Sequence, residues 1–325
     1  MTASREAAPR PTRRESFTPA AGLEQIGLRS DRLAFGLAGV GGAWGEVDPG
    51  VARETLRQAV EFGLGVFDVA PTYGTAEKLL GEVLAGWRGP PPVVSTKVGR
   101  IPCTKALEEA FDFSPAGMRD SLRRSLDILG LPAVNLLFLH EPEYVPPAER
   151  ARVVATLRQL QADGLARRLG LASGHGPGWD GYVETGCFDV VMLFRRLDAC
   201  IFDGLAADLP RVRRAGLATY GASPLHMGLL GSRHEEFVRD RPNWVWPEQI
   251  ERAVRLKALA AERGLPLPSL AHRFAFSAEE IDRVVIGART PAELTAALAD
   301  FAAGPLPAGL FDDMCAVQGC ASVSL

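Results

Sequence analysis

Asp68 in the run 66–70, Tyr73 in Pro71-Thr72-Tyr73-Gly74, Lys97 in the run 93–98 and His140 closing the run 136–140 are the residues whose types and spacing could do chemistry together. A tyrosine hydroxyl titrates at about 10 in water, too high to exchange protons readily at neutral pH, so it needs a cation beside it. Lys97 is the candidate cation. A lysine on a buried strand is costly unless paired, and Asp68, on the neighbouring strand by chain order, supplies the opposite charge. His140 would then donate a hydrogen bond to a substrate oxygen and orient it. Each residue has a plainer reading by itself: a histidine at a strand end is commonly structural, and a lysine with an aspartate can be an ion pair and nothing more. Joint placement at the ends of three successive apolar runs points instead to a proton-transfer site.

The elements that must position these residues follow from the pattern. Short, nearly continuous apolar runs at 33–36, 66–68, 93–98, 135–140, 168–172, 190–194, 217–222 and 284–287 read as eight strands buried on both faces. Between them the period changes to that of helices. Met118, Leu122, Leu126 and Leu129 share one helical face, as do Val153, Leu157 and Leu160. Asp48-Pro49, Ser114-Pro115 and Thr290-Pro291 each set a capping residue before a proline at the first helical position. Strand then helix, eight times, predicts an α/β fold of the (β/α)8 TIM-barrel type, with an extra helix at 269–276 before the last strand. Such a barrel gathers catalytic groups at the carboxyl ends of its strands, where Asp68, Tyr73, Lys97 and His140 fall.

Composition narrows the function. The chain has 325 residues, 47% hydrophobic and 23% charged, enough for one large core, so residues 23–325 are expected to form one barrel. A formal charge of −3 with no sustained basic block argues against nucleic acid or a membrane surface and leaves a small molecule as the partner. Cys103, Cys187, Cys200, Cys315 and Cys320 are scattered and odd in number, which predicts reduced thiols of a cytoplasmic protein and no metal site. Residues 1–22, rich in Arg, Ala, Pro and Ser, lack the apolar core of a secretory signal and read as a mobile leader. A doubly wound dinucleotide fold would need Gly-x-Gly-x-x-Gly, but the sixth position from Gly39 is Trp44. The early glycines from Gly36 to Gly45 are read as backbone that approaches a ligand, or as a turn.

The run Gly65-Val66-Phe67-Asp68-Val69-Ala70-Pro71-Thr72-Tyr73-Gly74, with Glu77, Leu80-Gly81, Ser95-Thr96-Lys97-Val98-Gly99 and Leu139-His140-Glu141-Pro142, resembles the aldo-keto reductases. The segment Ala222-Ser223-Pro224-Leu225-His226-Met227-Gly228-Leu229-Leu230, then Pro242-Asn243-Trp244, is similar to the sugar 1-dehydrogenase branch: L-galactose, L-fucose and D-threo-aldose dehydrogenases. The resemblance implies an oxidoreductase with an Asp, Tyr, Lys, His tetrad that acts on a small carbonyl or sugar substrate. It also implies NAD(P) bound across the carboxyl rim by Ser173, by Ser223, Leu225, Gly228 and Leu230, and by Gly287, Arg289 and Glu293. Arg289 could grip a 2′-phosphate, which favours NADP(H) while NAD(H) stays possible. Departures from the family pattern are Gly174, Phe194, Glu293 and Ala297, where many relatives carry amide side chains. Thr290 and Glu293 also read as a capping box. Trp44, Phe111, Trp179 and Trp244 could wall a substrate site or be simple packing. Arg195-Arg196 either reaches the barrel mouth or is an exposed pair. Two other readings stay open: a regulatory member that binds cofactor with little turnover, and a Schiff-base aldolase using Lys97.

Overall fold

The computed structural model describes residues 23–29, 31–102, 110–174 and 178–318; the leader read at 1–22 and two cysteines, Cys103 and Cys320, lie outside the described residues. Among the described residues ten strands follow in chain order: β1 (Leu33–Gly36), β2 (Val66–Asp68), β3 (Val93–Val98), β4 (Arg100–Ile101), β5 (Ala110–Phe111), β6 (Val134–His140), β7 (Ala166–Ser173), β8 (Val190–Phe194), β9 (Ala218–Ala222) and β10 (Arg283–Gly287). Eight of them close a parallel barrel in the order β1-β2-β3-β6-β7-β8-β9-β10, while β4 and β5 pair antiparallel outside it. The eight expected runs are these eight strands. The largest difference is at β7, which starts two residues earlier because Ala166 and Arg167 continue its ladder. At β10 the charged Arg283 hid the first residue: it is fully buried, and its Nε donates to Asp31 O at 2.8 Å.

Among the described residues eleven α-helices surround the barrel: α1 (Pro49–Glu61), α2 (Ala76–Ala85), α3 (Pro115–Leu129), α4 (Arg150–Ala162), the short α5 (Asp203–Ala206) and α6 (Leu209–Arg214), α7 (His234–Asp240), α8 (Pro247–Glu262), α9 (Leu267–Ser277), α10 (Pro291–Ala302) and α11 (Ala308–Gln318). The three expected caps are present. Asp48 Oδ1 accepts from Gly50 N and Val51 N at 2.8 and 3.0 Å, Ser114 Oγ from Gly117 N at 3.0 Å, and Thr290 Oγ1 from Glu293 N at 3.2 Å. The extra helix before the last strand is α9. It begins two residues before the expected 269 because Pro268 is tolerated in a first turn, where its missing N–H has no intrahelical partner to lose.

Period-two alternation decides which side chains meet inside the barrel. Val66, Val93, Leu136, Phe138, Met192 and Tyr220 belong to one interior cluster. Two residues beyond Val66 and Phe138, and four beyond Val93, the same parity turns Asp68, His140 and Lys97 inward at the carboxyl end. At the opposite end the interior is sealed by Leu23, Ile26 and Leu28, with Arg168 Nε donating to Ile26 O at 2.6 Å. The intervening residues face the helices: Thr96 Oγ1 donates to Glu77 Oε1 of α2 at 2.7 Å. Burial pushes the Glu77 carboxyl up, against the pull of its bond from Thr96. Among the described residues no helix is long and apolar enough to cross a membrane, and no group of side chains could hold a metal ion.

Candidate active site

Strand register brings the acid and the base of the ion pair together. Asp68 lies opposite Ser95, so Lys97 is its diagonal neighbour on the same face of β3. Lys97 Nζ donates to Asp68 Oδ2 at 2.7 Å and to Val69 O at 2.9 Å, and Ser95 Oγ donates to Asp68 Oδ1 at 2.7 Å. Lys97 is 1% exposed and Asp68 3%. Breaking such a buried pair by removing one partner would cost about 3–5 kcal/mol. Burial pulls the Lys97 pKa down, but Asp68 and Tyr73 reverse it and leave the ammonium above its ordinary value.

Tyr73 comes from the turn after β2. Its N–H donates to Ala70 O at 3.0 Å, and Gly74 next to it takes a left-handed φ of 58°. The loop after β1 is laid against this turn. Thr75 N donates to Gly41 O at 2.9 Å, and a Cβ on Gly41 would collide with Tyr73 O and stand 2.7 Å from Ala76 Cβ. Gly36 and Gly39 line the cleft, and each is also closely packed: a Cβ would stand 2.9 Å from Val285 Cγ1 on Gly36 and 2.7 Å from Ala288 O on Gly39.

The Tyr73 residue is half-buried, yet its hydroxyl end is sunk beside Lys97, which pulls its pKa down. Lys97 Nζ stands 4.7 Å from the Tyr73 ring centroid. His140 meets the same ring edge-on, with centroids 6.2 Å apart and planes at 88°. The expectation that Lys97 would leave Tyr73 with a lowered pKa is corrected here. Burial is the largest influence and raises it, Asp68 adds to the rise, and the pull of Lys97 offsets only part. Burial, then Lys97 and Arg100, hold His140 well below its ordinary value, so the imidazole is neutral; its Nδ1 is buried and makes no hydrogen bond among the described residues. A hydroxyl beside a fixed ammonium and a neutral imidazole can give or take a proton at an oxygen bound between them.

A cleft of ≈ 370 Å³ runs from Asp68 and Tyr73 over the rim to α9 and α10. Its size and mostly apolar wall suit a small-molecule ligand. Of the residues expected to hold a cofactor, Ser223, Leu225, Gly228, Gly287, Arg289 and Glu293 line it. Ser173 and Leu230 do not. Ser173 is buried at the end of β7, and Leu230 is fully buried because the loop turns inward after Gly228 to anchor in the core. Ser223 caps its own loop, accepting from Met227 N at 3.1 Å, and the N–H groups of His226, Gly228, Leu229, Leu230 and Gly231 go to carbonyls of the same loop. Three strained residues, Ser223, His226 and Met227, sit there at φ of 67, 47 and 55°. Glu293 turns its carboxylate to Arg289 N at 2.7 Å, one residue before the cap, so the capping box is shifted by one. Arg289 Nη2 reaches across to Glu46 O at 2.9 Å.

Among the aromatic residues, Trp44 lines the cleft. Phe111 stacks on Tyr144 at 4.6 Å, in the loops that follow β3 and β6. Trp179 is fully buried under Arg211, and Trp244 packs edge-on against Phe237 on α7, so neither walls the cleft. Phe194 lines it and Ala297 is buried behind it. The arginine pair is neither exposed nor at the cleft: Arg195 Nη2 donates to Gln249 Oε1 at 3.2 Å and Arg196 pairs with Asp208 at 2.7 Å. Two buried His–Asp pairs were not foreseen. His226 Nδ1 lies 2.8 Å from Asp198 Oδ2 beneath the 223–231 loop, and His272 Nδ1 lies 2.8 Å from Asp300 Oδ2 at the far end of the cleft. Each joins residues 28 apart on different elements, a spacing without any local signal.

Comparison with known proteins agrees with this geometry. The chain is 28% identical over 321 residues to a D-threo-aldose 1-dehydrogenase from a Pseudomonas species, covering 92% of this chain and 97% of that one. It is 29% identical over 279 residues to the L-galactose dehydrogenase of Arabidopsis thaliana, covering 82% of each. Its fold is shared by a glycerol dehydrogenase from Gluconobacter oxydans, with a TM-score of 0.71 at 22% identity over 90% of this chain and 94% of that one. Residues 32–317 match the profile of the Aldo/keto reductase family. The chain therefore belongs to the aldo/keto reductase family and is an oxidoreductase, of a family that uses nicotinamide cofactors.

Proposed function

We propose that this enzyme interconverts an alcohol and a carbonyl, or a sugar hemiacetal and its lactone, with Tyr73 as general acid and base. One observation carries the reading: Tyr73 stands against a buried Lys97, whose Nζ lies 4.7 Å from the Tyr73 ring centroid and is itself held by Asp68, at one end of an apolar cleft. The cleft suits an extended dinucleotide. Glycine backbone at Gly36, Gly39, Gly228 and Gly287 permits close approach, and Arg289 keeps a buried Nε that has no partner among the described residues. When bound, a nicotinamide dinucleotide supplies the hydride chemistry.

The residues divide the remaining work. In oxidation Tyr73 as phenolate takes the proton of the substrate hydroxyl, and in reduction it returns one. Lys97 offsets part of the burial that opposes the phenolate, and Asp68 keeps Lys97 charged. Neutral His140 directs an N–H at the substrate oxygen. Trp44 offers a ring to the apolar face of a sugar. The sugar substrates named for the two relatives support an aldose. Arg289, with guanidinium N–H groups beyond the one used by Glu46, favours NADP(H) over NAD(H). A Schiff base on Lys97 would need a depressed pKa, and here it is raised.

The test is to titrate NADPH and NADH by fluorescence quenching, then to assay aldoses and aldehydes with the wild type and Tyr73→Phe. Turnover should fall roughly 10²–10⁴-fold in the variant, while cofactor affinity stays unchanged. Unaltered turnover would refute the role of Tyr73. Cofactor binding without Tyr73-dependent turnover on any substrate would favour the regulatory reading.

A further inference from the structure

The end of the cleft remote from Tyr73 holds a second polar device that the proton chemistry does not use. His272 on α9 is 2% exposed and stands in the cleft wall with Pro268, Glu293 and Ala296. Its Nδ1 lies 2.8 Å from Asp300 Oδ2 on α10. A carboxylate can only accept, so Nδ1 carries the proton, and in that tautomer Nε2 is left with an acceptor lone pair. That Nε2 is buried and makes no hydrogen bond among the described residues. An unpaired buried acceptor costs stability, so its presence in a cleft wall points to a donor that a ligand would bring. Of the neighbouring polar groups, the Glu293 carboxylate accepts from Arg289 N and Arg233 Nε donates to Glu236 Oε2 at 2.9 Å, while Arg289 Nη2 donates to Glu46 O and its remaining N–H groups are donors to an anion, which leaves His272 Nε2 as the acceptor.

We propose that His272 is a ligand-binding residue whose Nε2 accepts a hydrogen bond from the exocyclic amine of an adenine base, with Asp300 as its positioning residue. The inference rests on the reading of the cleft as a dinucleotide site. If the reactive ring lies at Tyr73, the other nucleoside must lie toward α9 and α10. On that half of the molecule the amine is the only N–H donor, and a phosphate, an acceptor like Nε2 and near the carboxylates of Asp300 and Glu293, is a poor match. Pro268 and Ala296 give the base an apolar wall beside the acceptor. Asp300 fixes both the tautomer and the ring orientation, as a second carboxylate does for histidines that must present one particular nitrogen.

The experiment compares NADH with its hypoxanthine counterpart, in which a carbonyl oxygen replaces the amine, by fluorescence titration of the full-length protein. Wild type should bind the hypoxanthine dinucleotide about tenfold to a hundredfold more weakly, because a donor facing Nε2 becomes an acceptor. This comparison leaves the protein untouched. The double variant His272→Leu with Asp300→Leu, which removes ring and carboxylate together, should bind both dinucleotides with nearly equal affinity. Asp300→Asn tests the tautomer: its amide can donate to Nδ1, move the proton to Nε2 and restore affinity for the hypoxanthine form. Equal binding of both dinucleotides by wild type, or a preference that survives the double variant, would overturn the role of His272. Failure of wild type to bind any nicotinamide dinucleotide would overturn the underlying reading of the cleft as well, and is a different result.

Discussion

Asp68→Asn removes one charge from the site and almost nothing else. The amide oxygen can keep the bond from Lys97 Nζ now made to Oδ2 at 2.7 Å. The amide N–H₂ then faces Ser95 Oγ, which has a second acceptor available in Phe67 O at 3.4 Å. Hydrogen bonding therefore survives while the Coulomb attraction is lost. At 2.7 Å and an effective dielectric constant of about 20, that attraction is about 6 kcal/mol, or roughly four powers of ten in the protonation equilibrium of Lys97. The figure is an upper limit, because Val69 O at 2.9 Å and the Tyr73 hydroxyl still hold the ammonium.

The sign follows from the causes. Burial is the largest influence on Lys97 and lowers its pKa, and Asp68 is the first of the groups that reverse it. With Asp68 neutral, burial prevails and Lys97 deprotonates at much lower pH. Tyr73 then loses the cation that most opposes its own burial. Aldose oxidation, followed through the absorbance of the reduced nicotinamide across pH, should be slower by roughly 10²–10⁴-fold in kcat/KM. Its profile should also bend downward toward alkaline pH, where that of wild type still rises. Dinucleotide affinity and the thermal midpoint, measured alongside, separate a charge effect from misfolding. A variant within about a factor of two of wild type, with a parallel profile, would show that the Asp68 charge does not act through Lys97.

Because the Tyr73 pKa lies above its ordinary value, wild-type oxidation at low substrate should climb about tenfold per pH unit through the alkaline range; a plateau near neutrality would contradict this. His140, held well below its ordinary value by burial first, stays neutral in the folded protein while the unfolded chain takes a proton below about pH 6.5. Stability should therefore fall as pH drops through that value, by up to about 1.4 kcal/mol per unit, and urea midpoints of His140→Gln should fall less between about pH 7 and 5. Gly41→Ala puts a methyl group against backbone that no rotamer can clear. It should destabilise the fold by about 1–3 kcal/mol and lower kcat more than dinucleotide affinity, because Tyr73 is what moves; an unchanged kcat would count against that packing.

Chain pattern and tertiary structure determined different things. Strand positions were legible because a strand buried on both faces must be apolar along its length, and once eight such runs alternate with helices the barrel follows. Asp68, Lys97 and His140 were legible for a related reason: strict alternation along a strand places a residue on the inner face wherever its neighbours two back are inside. The pattern could not determine how much water each group loses, and that sets the direction of the Tyr73 shift, where burial outweighs Lys97. Nor could it show that Trp179 and Leu230 are buried while Trp44 is at the cleft, since identical side chains suit a core or a rim. The pairs His226 with Asp198 and His272 with Asp300 became visible only after folding. Each is a hydrogen bond between elements whose contact depends on how helices and loops seat on the barrel, and no local period in the chain encodes that seating.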